Sequence, residues 1–133
     1  MENLTEKLKS EHEELRRLCA EVYDYLSSYE LKLEFVNKFK ALVTGHMETE
    51  DKYLYPFLNE EAEKDFALRT KLDFFAKDWE ETSKFAFYYI EKYSAGNFDD
   101  KFAGDTGKLL STLRQRMMKE EISLYSEYER RKK

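Results

Sequence analysis

The sequence predicts an all-α protein, an up-down-up-down antiparallel four-helix bundle, and three observations predict it. Only 4 glycines and 1 proline occur in 133 residues, too few for the turns an all-β chain needs about every 8–12 residues. Apolar side chains instead recur at alternating steps of three and four along four long stretches, the spacing that lines one face of a helix. Short links separate these stretches, and short links make consecutive helices antiparallel neighbours. The length suits a single domain, residues 1–133, that buries roughly two thirds of the surface its unfolded chain exposes.

The first helix carries Leu4, Leu8, His12, Leu15, Cys19, Val22 and Leu26 on its inner face, with Asn3 or Thr5 as N-cap. Ser27, Ser28 and Tyr29 interrupt it. The second repeats the spacing through Phe35, Phe39, Leu42, His46, Glu50, Tyr53 and Phe57, up to a break around Pro56. After the acidic link from Asn59 to Asp65, the third shows Leu68, Leu72, Phe75, Trp79, Thr82, Ala86, Tyr89 and Tyr93, and Gly96 is its C-cap. Gly104 and Gly107 weaken the start of the fourth, so the stretch from Asn97 to Gly107 is expected to be irregular. Beyond it Leu109, Leu113, Arg116, Glu120, Leu124 and Tyr128 keep the period.

In two antiparallel helices, residues equidistant from the turn lie at the same height. His12 and His46 are equidistant from position 29, His46 and Trp79 from the 62–63 link, and Trp79 and Arg116 from 97–98, beside Gly96. All four are expected in one layer, with Glu50 and Glu120 one turn further along. A single histidine on an apolar seam is ordinarily a hydrogen-bonded core residue. Two histidines and two glutamates in one cross-section are different, because buried carboxylates must be paired or coordinated, and imidazole with carboxylate suits iron, zinc or manganese.

Charge narrows the partners. With 23 Lys and Arg against 28 Asp and Glu, the net charge of -5 opposes a phosphate backbone, so no nucleic-acid partner is expected. The run from Arg130 to Lys133 is what a helix C-terminus favours. No apolar stretch approaches the roughly 20 residues of a membrane span, nothing near Met1 reads as a secretory signal, and the single cysteine, Cys19, reads as a buried thiol. A cytoplasmic protein without membrane contact is the expectation.

The segment His46-Met47-Glu48-Thr49-Glu50-Asp51-Lys52-Tyr53-Leu54-Tyr55-Pro56 resembles the H-x-x-x-E-E-x-x-L-[FY]-P motif of hemerythrin-like, HHE cation-binding domains. Glu11-His12-Glu13-Glu14-Leu15 on the first helix supports the resemblance. Seventy residues after the first motif, Arg116-Met117-Met118-Lys119-Glu120-Glu121-Ile122-Ser123-Leu124-Tyr125 stands in register as a second copy. The resemblance implies a di-iron site with histidines from all four helices and two bridging carboxylates. Here the third helix has no histidine, Met47 follows His46 where many relatives have histidine or glutamate, and Arg116 replaces the second motif's histidine. The positions retained, His12, His46, Glu50 and Glu120, imply at most one metal ion, iron or another divalent metal. Arg116 is expected between Glu50 and Glu120 in the place of the lost ion, with Trp79 filling the vacated volume.

Two functions compete on this reading. One is a degenerate hemerythrin-like centre with a single ion and an oxygen, redox or iron-sensing role. The other is a metal-free, partner-binding or regulatory bundle in which Arg116 neutralises the buried glutamates; acid-base catalysis comes third. The run Phe85-Ala86-Phe87-Tyr88-Tyr89-Ile90 exceeds what one helix stripe can bury, which predicts a two-fold homodimer through Phe87 and Tyr88 unless the chain covers them itself.

Overall fold

The computed structural model describes residues 3–132, which are helical nearly throughout and include no strand. The helices are α1 (Leu4–Ala20), α2 (Tyr29–Thr49), α3 (Tyr55–Ala62), α4 (Phe66–Ser94), α5 (Phe102–Ile122) and α6 (Leu124–Arg131). One wide π-helical turn, Glu50–Leu54, joins α2 to α3, and Ser123 alone separates α5 from α6. The six helices therefore make four rods of a helical bundle. No helix among the described residues is long and apolar enough to cross a membrane.

Local chemistry starts and stops the rods, at Asn3 and Gly96 as the sequence suggests and at Ser28 and Asp65 besides. Asn3 accepts from the Glu6 amide at 2.8 Å while Glu6 reaches back to the Asn3 N–H, a reciprocal capping box. Ser28 and Asp65 cap α2 and α4, each accepting an amide at 3.1 Å. Gly96 ends α4 with φ +84°, and an added Cβ there would collide with the Tyr29 hydroxyl. The first helix stops earlier than its apolar spacing suggests: Val22–Tyr25 tightens into a single 3₁₀ turn. Val22 and Leu26 still pack on the core from it.

The wide turn corrects the second helix. Its extra residue advances the inward phase by one position, so Leu54 and Leu58 are fully buried, while Tyr53, expected inside, is 51% exposed. Phe57 is only partly covered. The fourth rod also departs from expectation, because helix begins at Phe102 and runs through Gly104 and Gly107. Tertiary anchoring offsets the weak propensity of glycine: Phe102 is 3% exposed, Thr106 bonds Tyr89 at 2.7 Å, and Tyr93 donates to Asp105 at 2.6 Å.

The core has two apolar clusters. Leu15, Cys19, Phe39, Tyr89, Phe102 and Leu109 belong to one; Leu8, Leu54, Leu58, Leu68, Leu72 and Leu124 belong to the other. Each fully buried Leu or Phe contributes roughly 1.5–3 kcal/mol. On α1, Leu8 lies in one cluster and Leu15 in the other, with His12 between them, so the polar layer is clamped from both sides.

Candidate metal centre

His12 on α1, His46 on α2, Glu50 at the start of the wide turn and Glu120 on α5 are all buried, His12 completely. One ligand atom from each lies within 4.8 Å of the others. The two imidazole Nε2 atoms are 3.0 Å apart; His12 Nε2 is 3.2 Å from Glu120 Oε1, and His46 Nε2 is 3.2 Å from Glu50 Oε2. The structure thus brings all four sequence-selected residues to one point.

The outer ring nitrogens explain how the rings are aimed. His12 Nδ1 is 2.6 Å from Glu121 Oε2, and His46 Nδ1 is 2.8 Å from Glu11 Oε1. Arg16 pairs with Glu121 at 2.9 Å, and Thr49 donates to Glu11 at 3.1 Å, which holds both carboxylates in place. An ionised carboxylate only accepts, so each Nδ1 must carry the proton, and each neutral ring then presents its Nε2 lone pair to the other. Two facing lone pairs at 3.0 Å need a cation between them, either a proton or a metal. Burial opposes a charged His46, but Glu120 and Glu50 outweigh it and push its pKa up to about 10. Glu50 moves the other way from an ordinary exposed carboxylate: burial raises it, and the neighbouring Glu120 charge adds to the rise.

Tyr125, 1% exposed on α6, completes the cluster. Its hydroxyl donates to Glu50 Oε2 at 2.8 Å and lies 3.1 Å from His12 Nε2 and 3.4 Å from His46 Nε2. Its ring stacks on His12 at 5.4 Å between centroids.

Arg116 is in the same layer but not between the two glutamates. Its Nε is 3.6 Å from Glu120, while Nη1 donates to Asp78 at 3.0 Å and to the Phe75 carbonyl at 3.3 Å, and Nη2 reaches the Tyr55 hydroxyl at 3.5 Å. The guanidinium lies over Trp79 at 4.9 Å, as the equidistance argument requires. No bond to Glu50 forms, because the long side chain is drawn toward α4 by Asp78 and the carbonyl. Trp79 does not fill the space beside it: a cavity of about 230 Å³ remains, walled by Leu15, Phe39, Val43, Leu113, Met117 and Trp79 among others. Met47 and Met117 line this cavity too.

Sequence reasoning missed Glu11, Glu121, Tyr55, Tyr125 and Asp78 as parts of the layer. Tyr125 had a signal, since it follows Tyr55 by seventy residues within the repeated motif. Glu11 and Glu121 adjoin His12 and Glu120 in sequence, but adjacency does not say that each reaches the outer nitrogen of a ring. Asp78 had no signal.

A helical bundle with a buried cluster of two histidines and two glutamates is the kind of protein whose core can hold a metal ion. The model of the hemerythrin HHE cation-binding domain matches residues 3–128, nearly the whole chain, and the protein belongs to that family. No curated protein and no solved structure matches the chain.

Proposed function

We propose that this chain is a degenerate hemerythrin domain that holds one metal ion, iron, through His12, His46, Glu50 and Glu120, with an oxygen, redox or iron-sensing role. The observation that carries this reading is the pair of buried Nε2 atoms facing each other at 3.0 Å, with both Nδ1 positions occupied by carboxylate partners. The donor set fits iron, since two imidazoles and one or two carboxylates match the 2-His-1-carboxylate pattern. A bound iron would supply one-electron and Lewis-acid chemistry at this point. Around it Glu11 and Glu121 orient the rings, and Tyr125 holds Glu50.

A second ion has no ligand set, because α4 offers no histidine and Arg116 brings a fixed positive charge. The test is elemental analysis of chain purified without chelator. One iron per chain, lost in His46→Ala, is the expected result; two irons, or no metal after growth in iron-rich medium, overturns it.

The metal-free regulatory bundle is the second reading, favoured by Arg116, whose contact with Glu120 and Asp78 already offsets buried acidic charge. The same elemental analysis decides between the two. We further propose an up-down-up-down arrangement of one domain, a cytoplasmic location and a homodimer through α4. The 52% exposure of Phe87 and 48% of Tyr88 supports the dimer, and light scattering that gives a monomer mass at high micromolar concentration refutes it.

A further inference from the structure

The cavity beside Arg116 has an apolar end and a polar collar, and the collar holds an open acceptor. Leu15, Phe39, Val43 and Leu113 wall the buried end; His46, Glu50, Glu120 and Arg116 belong to the collar; Asp51 and Ala76, both exposed, stand where the cavity meets solvent. Arg116 turns its guanidinium to Glu120, Asp78, the Phe75 carbonyl and Tyr55. Glu50 keeps an open acceptor, because both of its partners, Tyr125 and His46, engage Oε2, and Oε1 has none among the described residues. Asp51 adds a second carboxylate at the mouth.

An empty apolar cavity of about 150 Å³ is enough to take up benzene. One of about 230 Å³ has room for a fused second ring. We propose that this cavity is a binding site for a compact aromatic molecule carrying a single N–H or O–H donor, with its rings among Phe39, Val43 and Leu113 and its donor on Glu50 Oε1. The site does not require an ion in the neighbouring cluster, because the acceptor used is the oxygen that faces neither histidine nor Tyr125. It turns the second half of the layer from a lost metal position into an organic-ligand pocket.

Indole and benzofuran are the probes, being nearly identical in size and differing in the ring N–H. Calorimetry and saturation-transfer NMR on the full chain as purified should show one indole bound per chain, with benzofuran at least fivefold weaker. Ala76→Phe at the exposed mouth should weaken indole at least tenfold without changing the helical circular dichroism. Val43→Phe, which fills the apolar end, gives a second and independent block. Absence of saturable indole binding, or affinity unchanged in both blocked variants, overturns the site; equal affinity for benzofuran overturns the role of Glu50. Metal content of the same samples reports on the iron reading separately, so either can fail alone.

Discussion

The two copies of one motif, His46-Glu50-Tyr55 and Arg116-Glu120-Tyr125, occupy the same layer and end in opposite states. Around His46 the polar atoms close at 2.8–3.2 Å, through Glu11 and Glu50. Around Arg116 the contacts to Glu120 and Tyr55 lengthen to 3.5–3.6 Å, and a cavity of about 230 Å³ opens. The tyrosines are crossed: Tyr125 of the second copy bonds Glu50 of the first, while Tyr55 of the first bonds Arg116 of the second. Arginine rather than histidine at the head of the second copy changes more than charge. A ring nitrogen stays at the centre of the bundle, whereas a guanidinium five donors wide follows its acceptors to α4 and leaves space behind it.

Metal content separates the halves most sharply. His46→Ala should take bound iron from one per chain to none, and Arg116→His should leave that ion in place and favour a second, both read by elemental analysis. A variant at Arg116 that removed the first ion would break the comparison.

Stability comes next. Arg116→Ala in metal-free chain leaves Glu120 and Asp78 without their cation and should cost about 3–5 kcal/mol by urea unfolding. A loss near zero would mean that the Arg116 half is already a solvated surface.

The crossed tyrosines give a finer comparison. Tyr125→Phe breaks a buried 2.8 Å bond to a carboxylate and should cost about 1–3 kcal/mol, whereas Tyr55→Phe breaks a 3.5 Å contact and should cost about 0.5 kcal/mol or less. Equal losses would show the two halves to be equally tight.

A comparably small effect belongs to an ion-pair group outside both halves. Burial raises the carboxyl of Glu127, but Lys71, with Arg130 and Arg131, outweighs it and holds the group below the ordinary range. A carboxyl lowered on folding stabilises the chain above its unfolded value, about 4.5, and that contribution disappears as pH falls through the lower folded value. Glu127→Gln should flatten the acid limb of stability by about 0.5 kcal/mol, measured by denaturant unfolding between pH 5 and 3 as an order-of-magnitude window, because the pairs around it are partly solvated. An acid limb unchanged by that substitution would point to the layer itself as the main acid-sensitive element.

Much of this architecture was legible in the sequence, and the reason is periodicity. Steps of three and four place His12, His46, Arg116 and Glu120 on inner faces, and helix length converts sequence distance from a turn into height, so the meeting of residues on different helices could be worked out beforehand. Asn3 and Gly96 act over only a few residues, so their capping roles depend little on the rest of the chain. Tertiary structure decided what depends on packing between helices. The wide turn at Glu50–Leu54 moved Leu54 and Leu58 inward in place of Tyr53, a shift of phase that no regular repeat contains. Anchoring by Phe102 and Thr106 kept α5 helical through two glycines. The direction of Arg116 was settled by Asp78 and a backbone carbonyl on α4, acceptors whose positions exist only once the helices have packed, and the cavity follows from that choice.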